Sequence, residues 1–155
     1  MNTEKKFWNE KIETLPPAEL KALQWRRLKK QLQYNYDHSI YYREEKFHAA
    51  GIVPGDINSW DDFQRIPLMT KDEHRRTQEE SQRRFGHPYG LITCAPVAKI
   101  IRINSTSGTT GQPTLYTLTR NDINVLNEMH ARKYWRTGLR PGNIVLQALS
   151  LSMFT

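Results

Sequence analysis

The stretch STSGTTGQPT, residues 105–114, holds four threonines, two serines, two glycines and a proline, with no charged, aliphatic or aromatic side chain. Such a segment has nothing to place in a core. Its flanks do. KIIRIN (99–104) enters it with three isoleucines, and TLYTLT (114–119) leaves it with polar and apolar residues in alternation. Both flanks read as strands, so the fold turns on a strand–loop–strand unit whose loop is unusually rich in hydroxyls.

Working outward, Thr119 is placed to cap a helix running to about Thr137, with Ile123, Leu126, His130 and Tyr134 spaced along one face. Gly138 stops it and Pro141 lies just beyond. NIVLQALSL (143–151) reads as a further strand. Residues 99–155 are therefore expected to form the beginning of an α/β unit, β-loop-β-α-β, incomplete because so few strands leave the sheet faces uncovered.

Residues 1–98 read as a mainly helical N-terminal segment. LPPAELKALQWRRLKKQLQYNY puts Leu20, Leu23, Leu28, Leu32 and Tyr36 near one helical face, with Pro16 and Pro17 suited to its start. YYREEKFHAAG predicts a shorter helix ended by Gly51, and PGD (54–56) a turn. Ser59 with Asp62 and Thr70 with Glu73 make capping-box patterns ahead of two more helices.

The chain has 155 residues and a formal net charge of +7, and its mean hydropathy of −0.74 points to a thin core. Residues 1–98 are nearly balanced, with 16 basic and 14 acidic groups, whereas 99–155 carry 7 basic and 2 acidic. The excess sits around the hydroxyl-rich loop, which suits an anionic ligand. Nucleic acid is the other reading of a basic balance, but the pairs Arg26–Arg27, Arg75–Arg76 and Arg83–Arg84 look like solvated helix faces. Cys94 is the sole cysteine, which leaves no disulfide framework or cysteine zinc cluster and makes it a small apolar residue rather than a nucleophile. His38, His48, His74, His87 and His130 lack ligand spacing, so no metal site is expected. No apolar run approaches the ~20 residues that span a bilayer. The expectation is a soluble, cytoplasmic protein that binds neither nucleic acid nor membrane.

Gly108 and Gly111 let a ligand approach the backbone closely, and successive N–H groups in such a loop form a nest for an anion. The hydroxyls of Ser105, Thr106, Ser107, Thr109 and Thr110 add donors without adding charge. Together they describe a phosphate cradle. The spacing differs from the G-x-x-x-x-G-K-[ST] nucleotide loop and from the dinucleotide G-x-G-x-x-G. A polar hairpin with no ligand is the plainer reading of the same composition.

The ordered string resembles the phosphate-loop signature of the adenylate-forming enzymes, a run rich in serine and threonine followed by S-G-T-T-G-x-P. WNEKIETLPPAELKALQWRRLKK, SIYYREEKFHAAGI, SWDDFQRIPLMTKDEHR, YGLITCAPVAKIIRINSTSGTTGQPT and LTRNDI…GLRPGNIV are, in that order, similar to the start of the phenylacetate–CoA ligase branch. The likeness runs from about Trp8 to Thr155. It implies an enzyme that activates a carboxylic acid with ATP and Mg²⁺, then transfers the acyl group from AMP to coenzyme A. It further implies that Ser105, Thr106, Ser107, Gly108, Thr109, Thr110 and Gly111 hold the phosphates. No catalytic residue is assigned. Family members continue well past this length, so the chain is expected to be an N-terminal portion without ligase activity of its own, and a homodimer is possible.

Two positions depart from the branch. Gln112 stands where Lys is common, and ALSLSMFT (148–155) replaces an aromatic, glycine-rich stretch that helps to shape the acyl pocket, which puts phenylacetate itself in doubt. The alternatives are a truncated interaction module without catalysis, and a ligase-like relative of polysaccharide biosynthesis acting on another acid. Among single residues, His130 is expected in a core or interface, Tyr41, Tyr42, Tyr134 and Trp135 in packing, and Lys99 and Arg102 at strand edges beside the loop.

Overall fold

The structure is a computed structural model that describes residues 5–106, 112–146 and 148. A short helix α1 (Glu10–Glu13) precedes the long α2 (Pro17–His38), and a wide π-helical turn follows at Tyr42–His48. Helices α3 (Trp60–Gln64) and α4 (Lys71–Phe85) come next, then the strands β1 (Ile100–Ser105) and β2 (Leu115–Thr119), and finally α5 (Arg120–Arg136). The strands pair antiparallel, with Ser105 opposite Leu115 and Ile103 opposite Thr117.

Local chemistry accounts for most of these boundaries. Pro17 opens α2, where its lack of an N–H costs no hydrogen bond. At α4 the Thr70 hydroxyl accepts from the Glu73 N–H at 3.1 Å while the Glu73 carboxylate takes the Thr70 N–H at 2.6 Å. Gly86 ends that helix in the left-handed region, at φ 73°. Thr119 and Asp122 make the same reciprocal pair at the start of α5. The 59–62 pair is only half of such a box. Ser59 accepts from the Asp62 N–H, but the Asp62 carboxylate turns to the Ser59 hydroxyl and the Asn58 N–H.

The main core is small, as the hydropathy requires. Leu32 of α2, Phe47 of the π turn, Ile52 and Ile57 are buried together, with Trp25, Leu28, Tyr36, Phe63 and Ile66 packed around them. Tyr36 meets Phe47 edge to face at 5.3 Å. Beside this cluster Lys46 is 3% exposed. Its ammonium donates to the Leu68 carbonyl at 2.8 Å and to Glu73 at 3.0 Å, and lies 5.1 Å over the fully buried Tyr41 ring. A buried cation tolerates such a place only when its protons are taken up like this.

A second cluster ties the beginning of the described chain to α5. The indole of Trp8 and the amide of Asn9 both donate to Glu128, at 2.7 and 2.9 Å. Trp135 is buried against Trp8, donates its indole N–H to the Lys5 carbonyl and carries the Arg140 guanidinium over its ring at 4.1 Å. This docking selects the face of α5 that runs through Glu128, Arg132 and Trp135. The stripe drawn from sequence is rotated away from it. Ile123 and Leu126 are half-buried, but His130 is exposed and Tyr134 is 48% exposed, so His130 is not a core histidine.

The third strand expected over 143–151 is also corrected. Residues 143–146 form no ladder, and Ile144 and Leu146 stand almost wholly in solvent. β-branched residues extend into a strand when a neighbour supplies donors and acceptors, and none of the described elements lies alongside. Residues 147 and 149–151 lie outside the described residues.

Glu73 gives a test of this arrangement. The Thr70 N–H first, and the Lys46 ammonium after it, lower its pKa from 4.5 to about 2. A depressed carboxylate contributes stability that is fully present above its unfolded pKa and lost as pH falls through the folded one. Between pH 4.5 and 2, urea unfolding of the wild type is therefore expected to weaken more steeply than that of Glu73→Gln. Parallel curves would show that the carboxylate is not held.

Candidate phosphate-loop site

Helix α4 has an inward face of His74, Thr77, Gln78 and Ser81, spaced i, i+3, i+4 and i+7, all buried and none apolar. The spacing is that of a core helix, but the side chains are those of a surface. Packing here proceeds by hydrogen bonding. The Thr77 hydroxyl donates to the His74 carbonyl at 2.8 Å, and the Ser81 hydroxyl to the His87 carbonyl at 2.8 Å. Gly90, at φ 85°, runs so close that an added Cβ would stand 3.0 Å from the Thr77 hydroxyl.

Opposite α4 lies the neck of the hydroxyl-rich loop. Ser105 and Thr114 are 1% and 0% exposed, so the two ends of STSGTTGQPT are interior. Thr106 closes the neck. Its N–H donates to the Thr114 carbonyl at 3.1 Å, its hydroxyl accepts from the Thr114 N–H at 3.1 Å, and the two hydroxyls lie 3.0 Å apart. The clamp extends the hairpin one pair beyond Ser105 and Leu115. On the downstream leg, Gln78 donates to the Pro113 carbonyl at 3.2 Å and accepts from the Leu115 N–H at 2.7 Å. Arg75, also bonded to Asp72, donates from Nε to the Gln112 carbonyl at 3.2 Å.

Of the seven loop residues assigned from sequence, Ser105 and Thr106 are thus brought to one neck. Ser107, Gly108, Thr109, Thr110 and Gly111 lie outside the described residues. Arg75 and Gln78 escaped the sequence reading, in which Arg75 was taken with Arg76 for a solvated face. The signal for Gln78 was its helical spacing with His74, Thr77 and Ser81, hidden by polarity. Arg76 does face outward, pairing with Glu45 and Glu80.

The other candidates sort as follows. His74 meets the Tyr116 ring edge-on at 5.2 Å, and burial lowers its pKa, so it packs as a neutral ring. Cys94 is half-buried and its thiol is pushed up to about 11 by burial, which keeps it protonated and poorly nucleophilic. Arg102 is exposed and bonds Asn104, and Lys99 is exposed. A cleft of about 840 Å³ opens between Tyr34 of α2, the 89–96 segment and β2, but Ser105, Thr106 and Thr114 do not line it. Among the described residues no three His, Cys, Asp or Glu side chains converge as metal ligands, and no helix is long and apolar enough to cross a membrane.

What the arrangement can do chemically follows from its shape. The clamped neck of Thr106 and Thr114 brackets a short run of small hydroxyl and glycine residues in the sequence, with a guanidinium, paired with Asp72, against one leg. That combination suits a polyphosphate.

Comparison with known proteins agrees with this class. Over 92% of its length the chain superposes on 29% of a 2-hydroxyisobutyryl-CoA ligase crystallised with 2-HIB-AMP and CoA in the thioesterification state, with a TM-score of 0.79 and 33% identity. The same ligase in its post-adenylation state gives a TM-score of 0.78 at 30% identity, over 28% of that chain. The fold is that of a CoA ligase, in part. In sequence the chain is similar to phenylacetate-coenzyme A ligases. It is 34% identical to the Thermus thermophilus enzyme over 149 residues, 96% of this chain, and 34% identical to the Escherichia coli enzyme over 144 residues, 93% of it. It spans about 31% of the length of the first and 30% of the second. No family model matches.

The neck is open to a direct test. Thr106→Val keeps the shape but removes the partner of the buried Thr114 N–H and hydroxyl, and is expected to cost about 1–3 kcal/mol in urea denaturation. A loss near zero would mean that solvent reaches the neck.

Proposed function

We propose that this chain is the N-terminal portion of an ATP-dependent, AMP-forming acid–CoA ligase, with residues 105–111 as its triphosphate cradle. The observation that carries the reading is the interior, clamped neck Thr106–Thr114, which brackets the Ser107–Gly111 sequence within a fold shared with a ligase crystallised with an acyl-adenylate and CoA. Residues 1–98 form the helical part of this portion, and 99–155 begin the subdomain that binds ATP.

The reaction brings two anions together. A carboxylate oxygen attacks the α-phosphorus of ATP, the bond to the bridging oxygen of the β-phosphate breaks, and pyrophosphate leaves with that electron pair. The coenzyme A sulfur then attacks the acyl carbon, and AMP departs while the thiol proton passes to a base. Backbone N–H groups and hydroxyls of Ser107–Gly111 hold the β- and γ-phosphates as charge develops on the leaving pyrophosphate. Arg75 supplies a fixed cation beside Gln112. Mg²⁺ arrives with ATP as part of the substrate. A reaction that consumes ATP and coenzyme A belongs in the cytoplasm, where both are kept.

Calorimetric titration of the 155-residue chain with inorganic tripolyphosphate and with Mg·ATP tests the loop. Binding is expected, weakened about 10-fold or more when Thr109 and Thr110 are both replaced by alanine. Thioester formation is expected from the polypeptide as isolated from its cells if that is longer, and not from residues 1–155 alone. Tripolyphosphate affinity indifferent to the double substitution would remove the phosphate-loop reading.

A further inference from the structure

Gln78 stands on α4 opposite the point where the loop rejoins β2. Its carboxamide donates to the Pro113 carbonyl and accepts from the Leu115 N–H, one contact on each side of Thr114. A carbonyl and an N–H flanking one residue are the pair that a neighbouring strand takes up in an antiparallel ladder. One side chain thus does the work of a third strand at a single position. Gln78 is 6% exposed, so its end of both bonds is buried.

Thr114 itself is gripped from the other side. Its N–H goes to the Thr106 hydroxyl and its carbonyl to the Thr106 N–H. Every backbone donor and acceptor from the Pro113 carbonyl to the Leu115 N–H is therefore held, partly by Thr106 just beyond β1 and partly by α4. Nearly one helical turn before Gln78, Arg75 holds the Gln112 carbonyl.

We propose that α4 is the positioning element of the loop. Gln78 fixes the backbone on either side of Thr114, and Arg75 brings positive charge to Gln112 on the same leg, so that a polyphosphate held by the phosphate loop meets a leg already in place. The proposal rests on the phosphate-loop reading given above. Its physical content is entropic. A leg already fixed by α4 has less conformational freedom to lose when the anion binds, and binds it more tightly.

Gln78→Met preserves side-chain length and removes both bonds. Two quantities are measured at a temperature where circular dichroism shows wild type and variant fully folded: amide exchange at Leu115 by NMR, and the Kd for inorganic tripolyphosphate by calorimetry. The Leu115 amide is expected to lose protection, and the Kd to rise about 10-fold. Arg75→Gln is expected to weaken binding and to flatten its salt dependence. Glu79→Gln, on the exposed face of the same helix, is expected to change neither quantity.

A purely structural role for Gln78 would lower the melting temperature and leave the Kd of the folded protein alone. An unchanged Kd beside faster Leu115 exchange therefore overturns the proposal, as does unchanged Leu115 exchange, which would mean that the bridge does not form in solution. A wild-type chain that binds no tripolyphosphate overturns the phosphate-loop reading and this inference together. A wild type that binds, with Gln78 and Arg75 variants that bind equally well, overturns this inference alone.

Discussion

The inward face of α4 carries His74, Thr77, Gln78 and Ser81, and of these Gln78 and Ser81 tie the helix to its neighbours by matching donors to acceptors. Apolar contacts are non-directional and tolerate sliding. A buried hydrogen bond does not, because losing its partner costs about 1–3 kcal/mol. Everything around α4 inherits that directional constraint. The helix start is bound to the Lys46 ammonium through Glu73, its middle to the downstream leg of the hairpin through Gln78, and its C-terminal half to the His87 backbone through Ser81. A slide of one residue would leave several of these groups unpartnered at once.

The apolar core serves mainly to hold this frame. Leu32, Phe47, Ile52 and Ile57 join α2 to the π turn and the segment after it. Polar atoms extend the link. The Ser39 hydroxyl at the end of α2 donates to the Leu91 carbonyl at 2.8 Å, fixing the segment that passes under α4 through Gly90. A site that receives a highly charged ligand gains from such a scaffold, since oriented dipoles need no rearrangement when the charge arrives.

The elements with local causes were legible in the sequence. Pro17, the Thr70–Glu73 pair and Thr119 each mark a helix boundary by chemistry confined to a few residues, and the hairpin followed from an isoleucine-rich run before the loop and an alternating one after it. The errors came from partners distant along the chain. Residues 143–146 have strand composition but no neighbour to pair with, and the face of α5 was chosen by Trp8, some 120 residues earlier. For the loop, its ends and its chemistry could be read, because hydroxyls and glycines advertise themselves. Gln78 and Arg75 could not. A glutamine and an arginine in a charged helix look the same whether they face solvent or a backbone 35 residues away.

The Trp8–Trp135 contact bears on the order in which the molecule assembles. Its two halves are separated by nearly the whole described chain, and they meet through an indole pair 5.6 Å apart and hydrogen bonds to Glu128 and Lys5. Closing so large a loop is entropically costly, whereas the α2–π turn core and the hairpin close short ones. This contact is therefore expected to form late, after α5 has a face to offer. By the same reasoning it is a local unit that opens without the rest, with its own protection against amide exchange. The two coupled indoles would report that opening in the near-ultraviolet while the hairpin neck stays shut.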